Sequence, residues 1–296
     1  MIRTAILTTT IITFLTSCSF NKAFLKPTVI PVAAKKVTIK TEIDTTIISF
    51  MGDSHQPVLT QKNGQTVDLD YTIASVIFKS ANQNKLNGWL IRPKKVSPTI
   101  TLLHFHGNAG ALISQYQAIS PFLKNGFQLF VFDYSGFGFS EGEATRDNIY
   151  TDALSALDYI KSRQEVQNTK IVIYGQSIGG HLAAVVATEQ QQKIDGLVIE
   201  GGFSSYKDMG GQKLPLLGRL LTKQGYSATN SIKNFHKPLL VIHSTEDKTV
   251  PFHLGKKIFE SANAPKDFYE IKNRHIDGPK FYTDEISSKI KKMFVP

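Results

Sequence analysis

The sequence predicts an α/β fold class, a mostly parallel central sheet with helices on both faces. Three observations carry that prediction. Strand-length apolar runs recur along the 296-residue chain without the alternation of a half-solvated sheet. Amphipathic segments of helical length separate them. The composition, 41% hydrophobic and 20% charged, is that of a globular chain with a sizeable core, not a disordered one.

Taken from the N-terminus, residues 1–20 read "MIRTAILTTTIITFLTSCSF". Arg3 supplies a positive start, and Ala5 to Leu15 form an apolar stretch diluted by threonines. It is too short to span a bilayer and reads as a signal peptide over residues 1–17. Leu15-Thr16-Ser17-Cys18 resembles a bacterial lipobox. That resemblance implies a mature N-terminus at Cys18 carrying diacylglycerol, with the membrane as a partner through this anchor. Several acyl chains hold a protein stably where one does not. It also implies a place in the bacterial cell envelope; Ser19 after the cysteine, in place of Asp, is compatible with outer-membrane sorting. Cys18 is the only cysteine, so the monomer has no disulfide. Residues 18–35, with two prolines, read as a tether.

A single domain is expected from residue 36 to 296, without internal repeats or low-complexity segments. Residues 36–93 read as strands and turns. Within them "YTIASVIFKS" (71–80) and "LNGWLIRP" (86–93) bracket the polar turn Ala81–Lys85, a hairpin signal. The apolar runs that follow are 99–106, 127–133, 170–175, 196–201, 238–244 and 266–272. Helices are expected near 112–125, 146–163, 178–191, 250–262 and 280–293, the second with Thr145 as its N-cap. Segment 203–236, the longest stretch between later strands, reads as a small cap. The net charge of +10 comes from basic residues scattered in ones and twos. No tract of five appears, which argues against nucleic acid as a partner.

Two stretches match G-x-S-x-G: "GFSEG" at 138–142 and "GQSIG" at 175–179. Context separates them. A nucleophile elbow needs a strand, a sharp turn at the serine and a helix that starts at once. Ser177 has all three: "KIVIY" before it, Gly175 and Gly179 around it, and "IGGHLAAVVATEQ" after it. Ser140 lies seven residues beyond the strand that ends at Asp133, and charges and another glycine follow it. Ser140 is therefore read as part of a loop.

A serine hydroxyl is a weak nucleophile near neutral pH and needs a base oriented by a third group. In a strand–helix architecture of this kind the chain order is serine, acid, histidine. "PLLVIHSTEDKTVP" (238–251) delivers Glu246 and Asp247 directly after a strand. Asp247 is chosen, being nearer the following helix and the shorter carboxylate. "KDFYEIKNRHIDGP" then presents His275 after the final strand. The alternatives are weaker. His253 belongs to the next helix and reads as a surface residue. His104, His106 and His243 sit in or beside strands as packed histidines, and His181 shapes the packing of the elbow helix. His104 and His106 alternate along a strand, so they do not make a metal site. An oxyanion hole needs two donors: the amide of Ile178, after the nucleophile, and that of Asn108 in the glycine-containing loop "HFHGNAG" (104–110).

Five stretches then resemble one family: "HGNAG" at 106–110, "FDYSGFGFSEG" at 132–142, "YGQSIGG" at 174–180, "EGGFSS" at 200–205 and "DKTVP" at 247–251. Together they cover roughly residues 70–295 and look like the α/β-hydrolase superfamily, in the H-G-N-A-G-loop group of Bem46-like proteins and certain protein depalmitoylases. The resemblance implies an α/β-hydrolase fold and the roles of nucleophile, acid and base for Ser177, Asp247 and His275. It implies an acyl-enzyme reaction on a carboxylic ester or thioester, with no metal and no organic cofactor. An amide or short peptide substrate, as in aminopeptidases of this fold, is the alternative within the class. A catalytically silent envelope lipoprotein that only binds is the alternative outside it. One departure stands out: relatives commonly carry Gly before the histidine, where this chain has Arg274.

Overall fold

The computed structural model describes residues 24–40 and 45–294. The signal peptide expected over 1–17 and the lipid-attachment residue Cys18 lie outside the described residues. Thirteen strands occur among them. In chain order they are β1 (Lys26–Pro27), β2 (Lys36–Lys40), β3 (Thr45–Met51), β4 (Gln56–Gln61), β5 (Tyr71–Lys79), β6 (Lys85–Pro93), β7 (Ile100–Phe105), β8 (Ala109–Gly110), β9 (Gln128–Phe132), β10 (Lys170–Gln176), β11 (Gly196–Glu200), β12 (Leu239–Ser244) and β13 (Lys266–Ile271).

Eight of them form the central sheet, in the order β5-β6-β9-β7-β10-β11-β12-β13. The predicted hairpin is there: β5 pairs antiparallel with β6, and β6 antiparallel with β9. Every later pairing is parallel. The reason is connectivity. A short turn, here residues 80–84, joins β5 to β6 antiparallel, whereas helices between the later strands carry the chain back over a face and make them parallel. Successive residues of the inner strands point to opposite faces, and both faces are buried. Leu103, Ile173, Ile199 and Val241 meet the helices Arg146–Ser162, Ile178–Glu189 and Phe252–Ser261 on one side. Leu102, Val172, Val198 and Leu240 meet Leu112–Ile119 and Thr283–Lys292 on the other. Each such side chain contributes about 1.5–3 kcal/mol by leaving water.

Three local differences from the sequence reading have simple causes. The C-terminal helix expected over 280–293 is split into Gly278–Phe281 and Thr283–Lys292. The first of these begins one residue after Asp277, close behind the histidine loop, which occupies the turn before it. β2, β3 and β4 form a separate antiparallel sheet. It reaches the main sheet through Gln56: its side-chain amide donates to Ile73 O (2.8 Å) and accepts from Ser75 N (2.9 Å) on the outer edge of β5. Finally, part of the expected tether 18–35 is built into the domain. β1 pairs parallel with β8; Lys26 N donates to Asn108 O (2.7 Å), and Ile30 N to Gly138 O (2.8 Å). Leu25 and Ile30 are buried. These apolar side chains on either side of Pro27 anchor a segment that the sequence reading took as a free tether.

The loop after β9 accounts for the first G-x-S-x-G match. The Ser140 hydroxyl donates to Asp133 O (2.8 Å) and accepts from Asn87 N (3.0 Å). Asp133 Oδ1 in turn accepts from Leu112 N (2.6 Å), the first residue of a helix. Ser140 is a buried structural residue, as expected. Burial pushes the Asp133 carboxyl up to about 8, against the amides of Leu112 and Phe139, which favour its ionised form. A carboxyl raised in this way contributes stability that is full below its unfolded value near 3.8 and is lost as pH rises through its folded value near 8. Relative to wild type, Asp133→Asn should therefore gain melting temperature between pH 5 and pH 8 and level off above. Thermal melts across that range would check it, and a difference independent of pH would contradict the assignment.

Candidate functional site

The site is assembled at the C-terminal ends of β7, β10, β11 and β12 and in the loop after β13. β10 ends at Gln176, and a helix starts at Ile178. Ser177 between them has φ 57° and ψ −119°, a left-handed conformation that a side chain with Cβ rarely adopts. Such strain costs on the order of 1–3 kcal/mol and persists only where the surroundings impose it. Here they do. The Ser177 amide donates to Glu200 O (2.9 Å), and the Ser177 carbonyl accepts from His181 N (3.1 Å). Gly179 lies so close to the end of β7 that a Cβ there would come within 2.0 Å of Phe105 O and 2.4 Å of His106 O. Only glycine lets the helix N-terminus approach the neighbouring strand this closely.

Asp247 follows β12 in a tight turn. Its Oδ1 accepts from the amides of Thr249 and Val250, each at 2.8 Å, and its Oδ2 accepts from His275 Nδ1 at 2.6 Å. Burial acts to raise the Asp247 carboxyl, but the neighbouring His243 imidazole and the hydrogen bonds from His275 and the Val250 amide outweigh it and hold the group well below the usual carboxylate range. His243 Nε2 lies 3.5 Å from Oδ2 but 2.9 Å from Val250 O, so its hydrogen bond goes to the carbonyl and its effect on Asp247 is the weaker, longer contact. Glu246, the other acid after this strand, accepts from Asn273 N (3.2 Å) and braces the histidine loop from outside.

His275 thus has one nitrogen fixed by Asp247. The other, Nε2, is buried and has no hydrogen-bond partner among the described residues. Ser177 is close by: its amide is bonded to Glu200, and a Cβ on the next residue, Gly201, would lie 3.0 Å from His275 Cε1. No hydrogen bond joins the Ser177 hydroxyl to His275 in this structure. Such contacts are often long before substrate binds and tighten with it. The loop that carries Asn108 runs alongside, a Cβ on Gly107 coming 3.7 Å from that of Ser177. Strand β1 pins this loop through the Lys26–Asn108 hydrogen bond.

Arg274 points away. Its side chain is 83% exposed, and its Nε donates to Asp277 Oδ2 (3.2 Å). The left-handed residues of this loop are Asn273 (φ 83°) and Ile276 (φ 52°), so the backbone does not require glycine at 274. The other histidines are fastened elsewhere. His104 faces Gln176, His106 the carbonyl of Gly107, and His181 the carbonyl of Phe203, against whose ring it stacks. Burial lowers the first and third to about 4 and His106 to about 3, which keeps all three neutral. His253 is exposed. Among the described residues no three His, Cys, Asp or Glu side chains converge on a metal-sized site.

Sequence reasoning missed Glu200. This buried carboxylate accepts from Tyr174 (2.8 Å), Gln176 (2.7 Å) and Gly278 N (2.7 Å), tying the end of β11 to the residues behind His275. Burial raises its carboxyl against those three donors. The available signal was an acid closing the apolar run "GLVIE". A hollow of about 490 Å³ opens beside His275, lined by Lys248, Thr249, Arg274, Asp277 and Phe281 among others. Two larger surface hollows, of about 820 and 980 Å³, touch neither the elbow nor the histidine loop.

Comparison with known proteins gives a consistent picture. A family model described as the alpha/beta hydrolase fold matches residues 100–220. The chain is 32% identical over 214 residues to the uncharacterized protein YfhR of Escherichia coli K12, covering 70% of this chain and 75% of that one. It is 28% identical over 233 residues to the lysophosphatidylserine lipase ABHD12 of Mus musculus, covering 71% of this chain and 57% of that one. In three dimensions it matches the Pyrococcus furiosus esterase Pf2001 with a TM-score of 0.62 at 18% identity, covering 75% of this chain and 91% of that one.

The pinned loop generates a prediction. Lys26→Pro removes the N–H that Asn108 O accepts. A hydrogen bond of about 0.5–1.5 kcal/mol that steadies the loop corresponds to roughly a 2–10-fold loss of turnover on an ester substrate, with KM little changed. Steady-state kinetics would check it, and unchanged turnover would show that the strap does not serve the site.

Proposed function

The chain belongs to the α/β-hydrolase family, among the Bem46-like proteins, and on that premise we propose that it is a serine hydrolase that cleaves carboxylic esters or thioesters through an acyl-enzyme. One observation carries this reading: an imidazole held by a low-pKa carboxylate at 2.6 Å, with its second nitrogen buried and unpartnered, beside a serine in a strained elbow. No structural role requires that combination.

In the proposed reaction the Ser177 oxygen attacks the carbonyl carbon and its proton passes to Nε2 of His275. Asp247 stays ionised, holds the Nδ1 proton and stabilises the imidazolium. The amides of Ile178 and Asn108 stabilise the oxyanion, each worth about 3 kcal/mol in comparable sites. The carbon–oxygen or carbon–sulfur bond to the leaving group then breaks, and the leaving group takes the proton from His275. Water, deprotonated by the same imidazole, hydrolyses the acyl-enzyme. ABHD12 is named as a lipase, which favours a fatty-acyl ester over an amide for this chain. The reading includes lipid attachment at Cys18 and a place in the bacterial envelope, supported by the lipobox-like sequence.

A fluorophosphonate probe should label wild type and leave Ser177→Ala unlabelled; absence of label on correctly folded wild type would sink the proposal in favour of a binding protein. Turnover of p-nitrophenyl esters should fall on the order of 10⁶-fold in Ser177→Ala and about 10⁴-fold in Asp247→Asn. Incorporation of labelled palmitate in cells should vanish in Cys18→Ala, and its persistence would locate the acyl group elsewhere.

A further inference from the structure

The segment between β11 and β12 folds into three short helices, Tyr206–Lys213, Pro215–Leu221 and Ala228–Ser231. The middle one is built unlike any other helix of the domain. Its contact with the first runs through Gly218 and Gly210: a Cβ on Gly218 would come within 2.2 Å of Gly210 O. Backbone therefore packs on backbone, and the larger side chains have nowhere to go but outward. Leu216, Leu217 and Leu220 fall within a 100° arc of the helix, at ~100° per residue, and are 74%, 59% and 71% exposed. Leu214, just before the helix, is 49% exposed. Elsewhere in the domain the leucines of helices are buried in the core or packed against it, so a leucine face turned to solvent calls for an occupant.

We propose that this leucine face docks on the surface of an anionic lipid bilayer. Charge favours that occupant. From residue 203 to 236 the chain carries five Lys or Arg and one acidic residue. Lys207 and Lys223, flanking the leucine helix in sequence, are exposed. An apolar helix face within a segment of net positive charge is the composition of an interfacial helix. The path of the chain favours it as well. The Phe24 ring packs edge-on against Tyr206, the first residue of the first cap helix, at 5.1 Å between centroids. Phe24, the first described residue, therefore lies at this cap. The chain before it carries the apolar run Ala5–Leu15, and Cys18 lies six residues before Phe24, at most about 20 Å away when extended. An anchor at Cys18 would hold this cap within that reach of a membrane. The proposal does not rest on the hydrolase reading, since it concerns the face that meets lipid and not the chemistry.

The test uses the full chain with Cys18→Ala, which leaves no other cysteine. Leu217→Cys in this background carries an environment-sensitive fluorophore, and Lys124→Cys, on the opposite sheet face, serves as control. With vesicles of 70% phosphatidylcholine and 30% phosphatidylglycerol, label at 217 should shift to the blue and label at 124 should not. Leu216→Ser/Leu217→Ser/Leu220→Ser in the same background should bind these vesicles at least tenfold more weakly at an unchanged melting temperature. No blue shift at 217 while the protein co-sediments would overturn the proposal, because the N-terminal segment alone would then account for binding. Equal binding by the triple variant would overturn it too. A dimer in buffer that the triple variant converts to monomer would reassign the face to a second copy of the chain.

Discussion

A backbone that must reverse within one residue, from a strand ending at Gln176 to a helix beginning at Ile178, is the constraint from which the site follows. The reversal is possible only because the helix N-terminus comes almost into contact with β7 at Gly179. It sets Ser177 at the end of the sheet and at the N-terminus of a helix whose first amides have no intrahelical partner. Both features come from one local conformation, so neither can be tuned alone. The energy that holds Ser177 in a disfavoured region is supplied by the strands around it, whose side chains are buried on both faces of the sheet.

Around this turn, two carboxyl groups are treated in opposite ways. Asp247 is surrounded by donors that favour its charge and is held low, whereas Glu200, fully buried, is raised despite accepting three hydrogen bonds. The difference suits their positions. Asp247 faces the imidazole and balances its positive form. Glu200 sits behind the loop and holds Gly278 and Gln176 in place. A second layer of fastenings acts on the same loop, including the hydroxyl of Ser244, which donates to Asn273 O, and Glu246. The histidine loop contains two left-handed residues and would be mobile without these ties.

The strands and helices were legible because each is announced by a local pattern: unbroken apolar runs for strands buried on both faces, and one-sided stripes for the helices between them. The two serines were separable on the same ground, since one follows a strand directly and the other does not. Asp247 and His275 were legible as positions after strands, but the 2.6 Å contact between them depends on parallel pairing of β12 with β13, a long-range fact. What stayed hidden is what depends on partners far away in the chain. Glu200 reads as one polar residue among apolar ones until Gly278 arrives, 78 residues later. The segment from Phe24 to Ile30 falls inside the stretch expected to be a tether, while its place in the fold rests on Leu25, Ile30 and a few backbone amides whose partners lie far along the chain. Arg274 stands in sequence as a departure from the family pattern, yet its side chain has open solvent and Asp277 to turn toward.

An open sheet has two rims, and each exposes a row of unpaired peptide groups that a second molecule could join. Here Gln56 occupies one rim with its amide, mimicking a neighbouring strand for just two bonds and stopping there. The opposite rim, β13, carries Lys266, Asp267 and Glu270 in its six residues. A capped rim on one side and a charged rim on the other both discourage strand-to-strand pairing between copies of the chain.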